Sequence, residues 1–199
     1  MESIIQKITN SVNELAGSRN RAENPLIIAI DGRCGSGKTT LATCLKEKNG
    51  WSVFHMDDFF LRPEQRTKER FEKPGGNVDH ERFLEEILMP LKNGAQTIFY
   101  RPFDCGTKDF AEAVSVNTSA VNVVEGSYSC HPALWDAYDL RVFLEVGEAE
   151  QERRILNRNG REKAAMFRER WIPFEERYFE TYRIRERCDF CFRTDDGTL

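Results

Sequence analysis

Eight consecutive residues, Gly32-Arg33-Cys34-Gly35-Ser36-Gly37-Lys38-Thr39, match the phosphate-loop pattern G-x-x-x-x-G-K-[ST]. Glycines at these positions let several backbone N–H groups turn toward one anion, and a helix starting near Lys38 adds the positive end of its dipole. In such a loop the lysine reaches the β- and γ-phosphates of a nucleotide, and the hydroxyl of Thr39 holds Mg²⁺. The loop, with Thr40 behind it, is therefore the expected nucleotide-binding site. Cys34 is expected partly exposed beside Lys38, as a small filler and not as a nucleophile.

This loop must be carried by a strand and a helix, and the surrounding pattern supplies both. Leu26 to Ile30 is a continuous apolar run ending in Asp31-Gly32, which reads as a strand buried on both faces of a parallel sheet. Lys38 to Lys48 is helical in character and stops at Asn49-Gly50. Trp51 to His55, Thr97 to Tyr100, Ala120 to Val124 and Leu140 to Val146 read as further strands, with Phe190 to Arg193 closing the sheet. Asp79 to Leu91 reads as a helix with Phe83, Ile87 and Leu91 on one face and Pro90 near its end. Ile4, Ile5, Ile8, Val12 and Leu15 have helical spacing, so an N-terminal helix occupies residues 1–24, ended by the polar stretch Gly17 to Asn24 and by Pro25. It packs on the sheet or makes a subunit contact. Strands alternating with helices, several ending in an acid or a glycine, predict an α/β P-loop NTPase fold. Its mostly parallel sheet is flanked by helices, and its site lies at the strand C-termini.

With 199 residues, one domain spanning residues 1–199 is expected. The 29 Lys and Arg against 33 Asp and Glu leave a net charge of −4, which argues against a general nucleic-acid binder. No apolar run approaches a membrane span, and the start does not read as a signal peptide, so a cytoplasmic location with reduced thiols is expected. Of six cysteines, Cys188 and Cys191 form a lone C-x-x-C with no second pair for zinc and no redox context, so it reads as chance cysteines in a strand.

A phosphate loop fixes the nucleotide and not the reaction. The guanine-reading N-K-x-D is absent, and motor and helicase ATPases are larger. A small chain with acids at other strand ends suits a small-molecule kinase, which needs a base, a second carboxylate for the metal and a basic lid. Ile28-Ala29-Ile30-Asp31-Gly32 leading into the loop, His55-Met56-Asp57-Asp58-Phe59-Phe60, Asn77-Val78-Asp79-His80 and Val123-Val124-Glu125-Gly126 occur in an order that resembles the uridine kinase and phosphoribulokinase family. The resemblance runs from about Pro25 to Arg193.

The resemblance implies roles for named residues. Asp57 accepts the proton of the attacking hydroxyl and sits near the metal, and Glu125 is the second carboxylate near Mg²⁺. Asp79, with His80 beside it, is placed to read a vicinal diol; its plainer reading is a helix N-cap. Asp58 and Phe59 follow the base. Tyr100, Arg101 and Asp104 stand where uridine kinases contact the base of the nucleoside, but Phe103 and Lys108 depart from that pattern, which weakens a pyrimidine. Arg101 and Lys108 could instead face an anionic acceptor. Arg153-Arg154-Ile155-Leu156-Asn157-Arg158 resembles the family's helical lid, here about residues 153–170, with Arg158, then Arg154 and Arg161, as the phosphate clamp.

Residues 153–187 carry eleven basic and six acidic side chains, a surplus of five, leaving −9 on the rest. Phe167, Trp171, Phe174, Tyr178 and Tyr182 interleave with them at helical spacing, which reads as core packing in preference to single-strand nucleic-acid binding. The expected ligands are ATP, Mg²⁺ and a small-molecule alcohol, first of all a nucleoside, with neither nucleic acid nor membrane; a homo-oligomer stays open. Two alternatives stand beside this: a kinase for pantothenate or a sugar phosphate, and a nucleotide-binding regulatory protein that transfers nothing.

Overall fold

The structure is a computed structural model that describes residues 1–17 and 25–195. Helix α1 (Glu2–Gly17) buries Ile4, Ile5, Ile8 and Val12 as their spacing predicts, with Ala16 in the buried position expected for Leu15. The expected end of this helix over residues 18–24 lies outside the described residues. Strand β1 (Leu26–Gly32) leads into the phosphate loop, and α2 (Lys38–Asn49) leaves it, stopped by Gly50 in the left-handed region.

Next come β2 (Ser52–His55) and α3 (Lys68–Glu72). The helix expected over Asp79 to Leu91 forms as α4 (His80–Phe83), a π-type turn (Leu84–Leu88) and α5 (Met89–Lys92), with the Asp79 side chain accepting from the Arg82 amide as N-cap. Pro90 lacks an amide hydrogen for the helix ladder, which accounts for the widened turn before it. Phe83, Ile87 and Leu91 are all fully buried.

Strands β3 (Thr97–Tyr100), β4 (Phe103–Asp104), β5 (Asp109–Phe110) and β6 (Val114–Asn117) form two antiparallel ribbons, β3 with β6 and β4 with β5. Thr97 to Tyr100 is therefore a strand as expected, but outside the main sheet. That sheet takes β7 (Val121–Glu125), β8 (Leu140–Glu145) and β9 (Phe190–Arg193) in the parallel order β2-β7-β1-β8-β9.

Between β8 and β9 lie α6 (Glu148–Met166), a π-type turn (Phe167–Trp171), α7 (Ile172–Tyr182) and α8 (Ile184–Arg187). Gly160, at φ 77° and ψ 172°, breaks α6 into two pieces. Alternating residues of β1 feed two cores. Ile27 and Ala29 join the core that holds Phe54, Phe83 and Tyr178, while Ile28 and Ile30 join the one formed by α1 and α2. Thus α1 packs on the sheet beside α2. Register puts Ile30 and His55 opposite Glu125, so β1, β2 and β7 end together at one edge. Among the described residues no helix is long and apolar enough to cross a membrane.

Candidate active site

Gly32 sits at φ +136°, and a Cβ there would lie 2.0 Å from the Leu144 carbonyl oxygen. Only a glycine lets β1 run against β8 into the loop. Ser36 Oγ is buried without a hydrogen-bond partner, and Lys38 Nζ donates to Gly32 O at 2.7 Å and Arg33 O at 3.0 Å. A buried hydroxyl lacking a partner and a buried ammonium curled over its own loop fit a polyphosphate.

Thr39 Oγ1, on the first turn of α2, donates to Glu125 Oε1 at 3.2 Å and Oε2 at 3.3 Å. His55 Nδ1 lies 2.6 Å from the same Oε1, and this hydrogen bond raises the His55 pKa against the opposing effect of burial. Asp57 follows on a 3₁₀ turn (Met56–Phe59), open to the cleft. The enclosing protein raises its pKa by desolvation and Glu125 pushes the same way, while Lys38, His55 and Arg158 pull it down. Gly126 makes the approach: a Cβ there would meet Met56 Cβ at 2.8 Å and Asp57 Oδ1 at 3.4 Å.

Lys38, Thr39, Asp57 and Glu125, expected to act together, are thus brought together. Their oxygens are the hard donors a Mg²⁺ ion takes. Among the described residues no group of three or more His, Cys, Asp or Glu could hold a metal alone. Thr40 is exposed beside this set, and Arg158 is the lid arginine whose charge reaches Asp57.

Other expected site residues are engaged elsewhere. Cys34 is buried, not partly exposed: its amide donates to Glu175 Oε2 at 3.0 Å, and Gln151 Nε2 donates to its carbonyl and sulfur. Burial also pushes the Cys34 thiol pKa up, so it stays protonated. Arg33 pairs with Glu176. Arg154 is committed to Glu150, Gly35 O and Thr194 O, so it braces the phosphate loop against the end of β9. Arg161 is exposed beyond the Gly160 break.

Phe59 is fully buried in the core, and the hydroxyl of buried Tyr100 donates to Asp58 Oδ2 at 2.8 Å, so these three side chains are held by one another and by the core. Asp79 is both N-cap and acceptor from Gln65 Nε2 at 2.8 Å. His80 stacks on His131 with ring centroids 3.9 Å apart and takes Arg70 on Nδ1. Arg101 donates to the carbonyls of Phe110 and Ala111, and Asp104 accepts from the Gly106 amide, so both stabilise the β4–β5 ribbon.

Sequence reasoning missed Glu175, a buried carboxylate that accepts from the Cys34 amide and from Ser127 Oγ at 2.6 Å. The signal was there, as an acid interrupting the aromatic stripe of α7. It also left Asp31 without a role. Fully buried, Asp31 accepts from the amides of Gly32, Tyr128 and Cys130 and from the Tyr178 hydroxyl, tying the loop to α7. Cys188 lies with its sulfur 4.0 Å from that of buried Cys130, while Cys191 is exposed on β9. A cavity of about 470 Å³ between α6 and α7, reached by Arg33, contains none of Lys38, Thr39, Asp57 or Glu125.

No family model matches the chain. The bifunctional alpha-galactosidase/sucrose kinase of Mediterraneibacter gnavus is 29% identical over 184 residues, 81% of this chain and 20% of that protein. A uridine kinase of Ligilactobacillus salivarius is 25% identical over 137 residues, 65% of this chain and 64% of that one. This chain therefore spans one fifth and just under two thirds of these two relatives. The structure of a possible uridine kinase from Bacillus stearothermophilus matches with a TM-score of 0.67 at 24% identity, over 96% of this chain and 100% of that one. The parallel sheet, the glycine loop between β1 and α2 and these neighbours define a P-loop kinase fold. Within it, the chain is similar to uridine kinases, at 23–28% identity over 65–73% of its length.

Proposed function

We propose that this chain is an ATP-dependent kinase that phosphorylates a primary alcohol of a small polyhydroxylated molecule. One observation carries the reading: Lys38, Thr39, Asp57 and Glu125 converge from the ends of β1, β2 and β7 onto one cleft edge. A relative named for sucrose and another named for uridine support an alcohol acceptor.

Bound ATP and Mg²⁺ supply the transferable phosphoryl group and the cation that balances its charge. Lys38 and the loop amides hold the phosphates in line. Thr39 and Glu125 offer oxygens to the cation, and His55 fixes the Glu125 carboxylate from the other side. Asp57 orients the alcohol and takes its proton, a task that its raised pKa suits better than an ordinary carboxylate's would. Arg158 approaches from the lid to stabilise charge on the transferring group.

An Asp57→Asn protein tests the assignment. It should bind ATP normally but release ADP about 10²–10⁴-fold more slowly in the presence of acceptor. An undiminished rate sinks the base. A regulatory protein that binds ATP without transferring it would show no acceptor-stimulated ADP release in the parent chain.

A further inference from the structure

Arg82 lies in the first turn of the chain after Asp79, and its guanidinium occupies the middle of an aromatic cluster. It sits 4.2 Å from the centroid of the Phe59 ring and 4.9 Å from that of Phe110. Nη2 donates to Asp58 O at 2.9 Å and Nη1 to Arg101 O at 3.0 Å. Asp58 immediately follows the proposed base, so this cation is pinned against the backbone that carries Asp57.

The rings around it leave little room for a planar ligand. Phe59 stacks on Tyr100 at 5.3 Å and takes the edge of Phe83 at 4.8 Å. Phe103 lies edge-on to Phe110, with Arg66 over Phe103 and Arg101 over Phe110. Phe60 is half-buried against the core, and one such ring is no sandwich. A heterocyclic base gains most of its affinity by stacking on an open aromatic face. Here arginines already hold those faces, through the same quadrupole attraction. The polar groups on this side are of another kind. Asp79 carries Gln65 on Oδ2 and has Arg62 Nε 4.0 Å away. Buried Asp79 is already engaged on both oxygens, so the more exposed groups on this side are the Gln65 amide and the Arg62 guanidinium, polar partners that suit hydroxyl groups and offer no ring face.

We propose that Arg82 is a specificity-determining residue: by filling the aromatic slot beside Asp58 it excludes a planar base and leaves the acceptor site to a non-aromatic polyol of the sugar class. This rests on the reading of the Asp57 cleft as a phosphotransfer site.

The test uses the full chain with ATP and Mg²⁺ and follows ADP release over a panel of hexoses, hexose-containing disaccharides, uridine, cytidine and nicotinamide riboside. At least one sugar should raise ADP release tenfold or more over the unstimulated rate, with the nucleosides at background. Arg82→Ala should raise the ratio of nucleoside-stimulated to sugar-stimulated ADP release, both at one fixed acceptor concentration, at least tenfold, a ratio that mere instability does not move. ATP affinity and circular dichroism report folding, and Arg82→Lys, which keeps a cation in the slot, should stay closer to the parent. A nucleoside used by the parent chain with a kcat/KM equal to that of the best sugar overturns the proposal, as does an unchanged ratio of nucleoside-stimulated to sugar-stimulated ADP release in a folded Arg82→Ala protein. ATP binding without stimulation by any compound overturns the phosphotransfer reading itself, and this inference with it.

Discussion

Two buried carboxylates, Glu175 and Asp31, accept from amides of the phosphate loop. Glu175 satisfies one loop amide and Ser127, and burial raises its pKa. Truncation by Glu175→Ala would leave both donors unpaired, at about 1–3 kcal/mol each, and loosen the loop that must grip ATP. Glu175→Gln keeps an acceptor oxygen and removes a buried charge, so it should cost about 1 kcal/mol or less. Thermal unfolding with and without ATP checks both: the alanine protein should unfold at lower temperature and gain less from ATP, and equal behaviour of the two variants would remove Glu175 from the loop's support. The roles legible in the sequence were those whose partners are local or belong to a motif, such as Lys38 and Thr39. The bond between Asp58 and Tyr100 was not legible, because it joins residues 42 positions apart. Asp79 was legible in both of its readings, and the helix N-cap is the one formed.

At the level of helices and strands, periodicity carried most of the information. The continuous apolar run of β1 predicted a strand with two buried faces, and it feeds both cores. The two small ribbons were less legible, because β4 and β5 are two residues long and take their shape from Arg101 and Asp104. The lid was read as one charged helical stretch, whereas Gly160 divides it. With φ 77° and ψ 172° this residue occupies a region open essentially to glycine, and nothing lies within 4 Å of where a Cβ would be. Gly160→Ala therefore meets no clash, only backbone strain of about 1–3 kcal/mol, which straightening the break would relieve. Arg158 stands two residues before the break, so a backbone change there is well placed to shift its charge relative to Asp57. The expected result is a fall in kcat with little change in ATP affinity, measured by steady-state kinetics and calorimetry. An unaltered kcat would mean that the break does not set the position of Arg158.

Across the whole molecule, much of the basic surplus of residues 153–187 is engaged internally. Arg153 and Arg154 pair with Glu150, Arg168 with Glu152 and Arg185 with Glu145, while Arg170, Arg177 and Arg187 lie over aromatic rings. Most of these pairs lie within the lid segment itself, and Arg185 with Glu145, Arg170 over Phe71 and Arg187 over Trp135 reach the rest of the fold. The stacked pair His80 and His131 contributes to the molecule's response to acid. His131 is buried against Tyr178 and Gly75, and its pKa falls to about 3 through burial first, then through His80 and Arg70, with Glu81 opposing. Burial lowers His80 as well. In the unfolded chain a histidine takes up its proton near 6.5, so between 6.5 and about 3 the unfolded state binds the proton and the folded state does not. Stability from this residue is therefore complete above about pH 6.5 and is lost as the pH falls toward 3. Going from pH 7.5 to 5.5, His131 alone should cost about 1.3 kcal/mol, with His80 adding a loss of the same sign. His131→Phe keeps a ring in the stack, gives up an acceptor for the Ala133 amide and has no proton to gain. It should be less stable than the parent at pH 7.5, yet lose less stability on acidification. Urea denaturation at pH 7.5, 6.5 and 5.5 measures both slopes, and parallel lines for the two proteins would show that His131 is not held neutral by the fold.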